Sequence, residues 1–233
     1  MANMDAMNQD ASPIFAGLTD QERLATLSAA RPRGLKAREV LAREGEPANE
    51  FYVVQVGHLK LSRVNPDGNE IVIRFVGPGG PFGGVVAVGA TQYPLTATAA
   101  EPTRTLGWPR EVLERLMVAC PRLRTNIVVQ ISHHLSDALT RVQEVTSDRV
   151  EQRVARALIR LAAHGGIPTP RGVDIAHPLT RDELAGLVGT TLFTVSRLLS
   201  RWESDGVITS TRRRITVLSP DRLAALAEPP DFR

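Results

Sequence analysis

Between about Arg33 and Trp108 apolar and polar residues alternate, whereas before and after that stretch they recur at helical spacing. Leu18–Leu24 opens with Thr19-x-x-Glu22, a capping box that predicts a short helix. Strands are predicted at Glu39–Ala42, Phe51–Gly57, Leu59–Val64, Glu70–Val76, Thr96–Ala100 and Arg104–Trp108. Turns fall at Glu44–Pro47 and Asn65-Pro66-Asp67-Gly68, and the glycine-rich run Gly77–Gly84 reads as loop. Many short strands joined by glycine turns predict a β-roll or barrel.

After Trp108 the helical period returns. Pro109–Leu116 is a short helix, and Cys120-Pro121 precedes a long one reaching about Ser147. Val128, Ile131, Leu135, Ala138, Val142 and Val145 are spaced alternately three and four residues apart, the a/d seam of a coiled coil. A helix packed on its own domain is the alternative, with Ile127 and Leu139 on a second face. Asp148–Ala163 predicts a further helix with Val150, Val154, Ala157, Leu158 and Leu161 inward. His164–Gly172 reads as an exposed connector, and the chain after Asp221 as a short helix before Pro229-Pro230.

The richest stretch runs from Leu179 to Leu218. Thr180 and Glu183 form a second capping box, Leu184, Leu187 and Val188 give one apolar face, and Gly189 ends the helix. Thr191 caps a second helix whose inner face is Val195, Leu198, Leu199 and Trp202. Two helices across a glycine turn predict a helix-turn-helix, whose second helix enters a DNA major groove. A buried helical hairpin has the same apolar spacing. Beyond Gly206, however, Val207–Thr209 and Ile215–Leu218 read as strands around Arg212, Arg213 and Arg214, which suits a phosphate-contacting wing. Thr191, Leu192, Phe193, Ser196 and Arg197 lie on the exposed face of the second helix. Thr194, Arg181 and Arg201 complete the candidate DNA contacts.

Charge sharpens this picture. Residues 148–233 carry 13 arginines against 10 carboxylates, while the remainder balances, so the net charge of +3 lies in the C-terminal part. That footprint fits a reader of specific sites better than a general DNA coater. Apolar residues make up 42%, enough for real cores. No apolar run reaches the ~18 residues of a membrane span, and Met1–Ser12 lacks the apolar stretch of a signal peptide, so a cytoplasmic, soluble protein with no membrane partner is expected. The single Cys120 excludes an internal disulfide and a four-thiolate cluster. No Ser-His-Asp set, H-E-x-x-H or Cys-x-x-Cys points to an enzyme. Adjacent His133 and His134 point ~100° apart on a helix, a poor two-ligand metal site.

Thr180 to Leu218 resembles the DNA-binding domain of the CRP/FNR transcription regulators, and the likeness extends from about Ile14 to Leu218. Residues 190–202 are most similar to the branch that regulates nitrite and nitric oxide reductases. The resemblance implies a double-stranded β-roll, a parallel homodimer along the long helix, RNA polymerase as partner, and Ser196 with Arg197 reading a TTG…CAA palindrome. Where most members have Glu before the reading Arg, this chain has Phe193. In the cyclic-AMP members the glycine loop cradles phosphate, a Glu holds the ribose and an Arg pairs with the phosphate; here those places hold Gly84 and Pro94. The members' adenine-contacting Thr-Ser pair matches Ala138 and Leu139. No cyclic nucleotide and no side-chain cation at its site are therefore expected. One cysteine likewise leaves no iron-sulfur cluster of the FNR kind. The branch likeness implies a nitric oxide response, with haem on a histidine ligand as one route. His134, His133 and His58 lead the candidates, with His164 and His177 behind, and none is singled out.

The expectation is an α+β chain: a tail at 1–13, a β-roll sensor at 14–119, a dimerisation helix at 120–147 and a winged helix-turn-helix at 148–233. Its function is a dimeric transcription regulator or activator of denitrification-type genes. A regulator answering another signal, or none, is the alternative within the family. A signalling module without DNA binding is the alternative outside it.

Overall fold

The computed structural model describes residues 12–66, 68, 70–163, 165–211 and 213–228. The chain divides into two compact units. One holds the residues through Arg63 with Arg74–Asp137, the other Val64–Ile73 with Ala138 onward. The mixed α+β architecture of β-roll, long helix and C-terminal helix-turn-helix is present.

The N-terminal unit begins with helix α1 (Asp20–Ser28), capped reciprocally by Thr19 and Glu22. Among the described residues eight strands follow: β1 (Arg31–Leu35), β2 (Val40–Ala42), β3 (Glu50–Val56), β4 (Leu59–Val64), β5 (Glu70–Val76), β6 (Pro81–Phe82), β7 (Thr96–Ala99) and β8 (Thr103–Pro109). They form two sheets, in the orders β1-β8-β3-β6 and β2-β7-β4-β5. Their inner faces bury Phe51, Val53, Leu59, Leu61, Ala97 and Trp108. The Trp108 indole donates to the Thr26 carbonyl at 2.8 Å, tying α1 to the sheet.

The glycine-rich run is not all loop. Pro81-Phe82 pairs with Tyr52 and Val53 as an edge strand, and Gly84–Val88 is a 3-10 helix. Proline lacks an N–H to donate, which an edge position tolerates. Arg110, which opens helix α2 (Arg110–Ala119), anchors this region by donating to the carbonyls of Ala48 and Ala90.

Helix α3 (Pro121–Ser147) is 27 residues, about 40 Å at 1.5 Å per residue. Leu123 and Ile127 are buried in the β-roll core, and Ile131 packs against it. Of the second face that the alternative reading proposed, Ile127 is buried and Leu139 is exposed.

The C-terminal unit contains α4 (Val150–Ala163), β9 (Ile167–Thr169), β10 (Gly172–Asp174), α5 (Arg181–Val188), α6 (Leu192–Ser204), β11 (Ile208–Ser210), β12 (Ile215–Val217) and α7 (Pro220–Ala227). The expected connector at 164–172 is largely a hairpin: β9 and β10 extend the wing into a sheet ordered β11-β12-β10-β9. Pro168 sits in the edge strand β9, where a missing donor costs little.

Candidate nucleic-acid interface and β-roll cavity

The helix-turn-helix is built by local capping. The Thr180 hydroxyl accepts from the Glu183 N–H at 3.1 Å, and the Glu183 carboxylate accepts from the Thr180 N–H at 2.9 Å. Gly189 ends α5 at φ 66°, a left-handed conformation that favours glycine. Thr191 then caps α6 by accepting from the Thr194 N–H at 3.2 Å. Val195, Leu198, Leu199 and Trp202 are buried, as their spacing predicts.

Sequence reasoning missed the residue that fixes the turn. Arg153, buried on α4, donates to the Val188 carbonyl at 3.0 Å, the Gly189 carbonyl at 3.2 Å and the Asp148 carbonyl at 3.0 Å. The first two are carbonyls left without helical partners where α5 ends. A signal was present: Arg153 falls beside Val150, Val154 and Ala157 on the apolar face of its helix.

The predicted DNA contacts fall into two groups. Thr191, Leu192, Phe193 and Arg197 are exposed at the start of α6, with Ser196 half-buried beside them. Phe193 and Arg197 are one helical turn apart, and Phe193 is 76% exposed. The Thr194 hydroxyl lies 3.0 Å from that of Thr191. Arg213 and Arg214 are exposed on the wing turn, where the Thr211 N–H donates to the Arg214 carbonyl at 2.8 Å; Arg212 lies outside the described residues. Arg214 also lies 3.6 Å from the Asp174 carboxylate, and two further candidates have partners within the domain. Arg181 donates to the Ser210 hydroxyl at 3.1 Å and lies 3.7 Å from Glu203. Arg201 pairs with Glu151, which also accepts from the Trp202 indole at 3.3 Å.

On α3, Val128, Leu135, Ala138, Val142 and Val145 are exposed, with Leu135 at 61% and Val142 at 63%. Ile131 turns away from that stripe. On a straight helix Ile127, Ile131 and His134 share another face, spaced four and three apart. All three line a cavity of about 190 Å³ in the β-roll, whose other walls include Phe51, Phe82, Gly84, Pro94 and Leu95. Phe82 is stacked on Tyr93 with ring centres 5.3 Å apart.

The cavity corrects one expectation. A side-chain cation is present, supplied by β5 rather than by the position of Pro94. Arg74 Nη2 lies 3.5 Å from the Pro81 carbonyl and 3.5 Å from His134 Nδ1. The Gly84 position has a positive reason as well. A Cβ there would stand 3.1 Å from Ile131 Cγ1, so a side chain at the place where the cyclic-AMP proteins hold the ribose would have to displace Ile131. The residues do not fit a cyclic nucleotide in that manner.

Haem fits no better. The cavity is smaller than the ~300–1,000 Å³ of pockets for drug-sized ligands, and a porphyrin exceeds most of those. His58 is buried, with Nδ1 2.7 Å from Glu101, and its Nε2 lies 2.9 Å from where a Gly77 Cβ would stand. His133 is exposed, His177 is buried, and His164 lies outside the described residues. Among the described residues no cluster of three or more His, Cys, Asp or Glu can hold a metal. No described helix is long and apolar enough to cross a membrane. Cys120 is buried, and burial raises its thiol pKa above the ordinary value.

Comparison with known proteins bears on both halves. Residues 152–226 match the Crp-like helix-turn-helix domain, and residues 32–120 the cyclic nucleotide-binding domain. The chain is 27% identical over 215 residues to the transcriptional activator protein FnrA of Stutzerimonas stutzeri, covering 92% of this chain and 87% of that protein. It is 25% identical over 214 residues to the CRP-like cAMP-activated global transcriptional regulator of Mycobacterium tuberculosis, covering 92% and 96%. The fold is similar to that of FixK2 from Bradyrhizobium japonicum, with a TM-score of 0.76 at 24% identity over 86% of this chain and 98% of that one. A CRP/FNR-family transcriptional regulator from Thermus thermophilus gives a TM-score of 0.71 at 28% identity, covering 85% and 99%.

Proposed function

Because this chain belongs to the CRP/FNR family of DNA-binding transcription regulators, we propose that it acts as a homodimer on a TTG…CAA-like palindrome and that its β-roll receives the controlling signal. The observation that carries this reading is the exposed start of α6, where Ser196 and Arg197 stand beside a 76%-exposed Phe193. Phe193 and the neighbouring exposed Leu192 offer apolar surface at the same helix start, which suits contact with thymine methyl groups. Arg197 donates to guanine O6 and N7, Ser196 contacts the neighbouring base, and Thr191, Thr194, Arg212, Arg213 and Arg214 approach phosphates. Arg181 and Arg201 support the domain more than the DNA, given their partners Ser210 and Glu151.

The apolar stripe Val128, Leu135, Ala138, Val142 and Val145 supports the dimer, since a protomer alone leaves it in water. Two-fold symmetry then matches a palindromic site. The functional division follows the sequence limits, with the sensor at 14–119, the dimerisation helix at 120–147 and the DNA-binding domain at 148–233. RNA polymerase is the expected partner at promoters. Likeness of residues 190–202 to the nitrite and nitric oxide reductase regulators supports denitrification-type genes as targets and nitric oxide as the physiological cue. That segment concerns operators, so it says nothing of which molecule the β-roll holds.

The test is a binding titration with a duplex carrying TTG…CAA and a scrambled duplex at the same salt. Preference for the palindrome of at least the ~10³-fold typical of specific sites is expected, and equal binding would overturn the reading. A promoter fusion followed with and without nitric oxide tests the cue; unchanged expression rejects it.

A further inference from the structure

We infer that the Glu144–Arg160 pair is a spacing determinant: it holds the corner between α3 and α4, and through that corner sets the distance between half-sites that the dimer accepts. Glu144 is 5% exposed and lies in the last turn of α3. Its two carboxylate oxygens accept from Arg160 Nη1 at 2.5 Å and from Nη2 at 3.0 Å, a two-bond geometry that gives direction as well as attraction. A carboxylate in that turn faces the negative end of the helix dipole, and no basic residue of the turn offsets it. Glu144 therefore does nothing for α3 by itself, and its compensation comes from α4. Opening the pair would leave a buried charge without its partner, so the closed geometry is strongly held.

Arg160 is one of a row. Arg153, Arg156 and Arg160 are spaced three and four apart, so they share one face of α4. All three reach the end of α3 or the residue after it. Arg153 donates to the Asp148 carbonyl at 3.0 Å, Arg156 lies 3.4 Å from the Asp148 carboxylate, and Arg160 holds Glu144. Asp148 and Arg149 join the two helices, and their φ and ψ torsions would otherwise let α4 swing. At its other edge the row carries Arg153 to the Val188 and Gly189 carbonyls. A continuous set of contacts thus runs from α3 through α4 to the turn before α6.

The compact unit that contains α6 also contains Ala138, Val142 and Val145 of the exposed stripe. When two protomers meet along that stripe, a stiff corner leaves each α6 one place to stand. On DNA, one base pair added between half-sites moves the second by ~3.4 Å and turns it by ~35°. A stiff dimer cannot follow that change, whereas one with a loose corner can. The spacing rests on the dimer and palindrome reading above; the stiffness of the corner does not.

Two measurements test this. The first titrates the full-length protein with palindromes at the preferred spacing, found by scanning spacer lengths, and at one base pair more or fewer. The wild type should lose at least about tenfold in affinity at either altered spacing. Glu144→Gln and Arg160→Met should each cut that loss to about threefold or less, with base preference inside the half-site and the sedimenting dimer unchanged. Because the two side chains act through each other, the double variant should match the more relaxed single variant within about twofold. Thermal unfolding establishes that each variant is folded, and Arg160, whose side chain is 32% exposed, gives a variant milder than one at buried Glu144. An unchanged spacer profile in a folded, dimeric variant, or independent effects that multiply in the double variant, would overturn the inference.

The second measurement uses no DNA. Spin labels enter through Gln143→Cys and Ser200→Cys, both exposed positions, in a Cys120→Ala background. Dilution with unlabelled protein restricts the reading to distances within one protomer. A narrow distance distribution is expected with the pair intact and a broader one with Glu144→Gln; equal widths reject the role of the pair. Failure to bind a palindrome of any spacing sinks the regulator reading, and the spacing with it, while the label widths still decide whether the pair holds the corner.

Discussion

At the scale of single residues, the interface separates side chains that read from side chains that hold. Arg197 is exposed, and its loss should cost about 1–3 kcal/mol of site-specific affinity and relax preference at one guanine per half-site. Titrating Arg197→Ala against the palindrome and its guanine variants checks this. Wild-type discrimination in the mutant would remove Arg197 from the readout. Phe193, one turn earlier, has no group to accept from a base amine, so the step next to the TTG core should be weakly specified. Phe193→Glu should create a preference there, as selection from a randomised duplex pool will show. Arg153 is a holding residue that the sequence did not disclose, because a lone arginine on an amphipathic helix does not name its acceptors. Truncation to Met would leave the buried Val188 carbonyl without that donor and remove a second bond at Gly189, costing about 1–3 kcal/mol. A lowered melting temperature with the wild-type base preference retained in the folded fraction is the expected outcome. Cys120 belongs here too. Burial raises its pKa, so it stays a thiol, and slow reaction of the native protein with iodoacetamide is expected.

Among the elements, those defined by local rules were legible in advance. Both capping boxes, the Gly189 stop and the Val195-Leu198-Leu199-Trp202 face emerged as written, because caps and period are properties of a few neighbouring residues. Elements defined by distant partners were not. Pro81-Phe82 became a strand only because Tyr52 and Val53 offered an edge, and the proline-bearing β9 only because β10 did. The cation at the cavity escaped for the same reason: Arg74 and His134 lie 60 residues apart in sequence and meet only through the fold. Helix α3 shows both cases. Its three-four repeat was visible, yet the turn of a straight helix carries Ile131 away from the stripe and toward the cavity. The stripe that remains gives a direct prediction. Leu135→Glu or Val142→Glu would place a charge in an apolar seam, and sedimentation should then show monomer with site-specific binding lost. An intact dimer in either mutant would refute the interface.

For the molecule as a whole, the distribution of charge bears on how DNA binding answers to salt. The net charge of +3 sits in residues 148–233, and a large part of it is concentrated in the three arginines of the wing. Attraction of that kind is driven by release of counterions, at about 0.9 in log K per log salt for each phosphate contact. In a symmetric dimer each wing arginine counts twice. Arg213 is exposed on the turn, so Arg213→Ala should shallow the salt slope by about 2 while weakening binding to every sequence alike. Arg197→Ala should act in the opposite pattern: specificity falls and the slope stays nearly unchanged, because a base contact releases few ions. The two mutants measured side by side across a salt series therefore separate positioning from reading. If Arg213→Ala altered base preference with no change of slope, the wing would be a reader. The assignment of phosphate contacts to the hairpin and base contacts to α6 would then have to be exchanged.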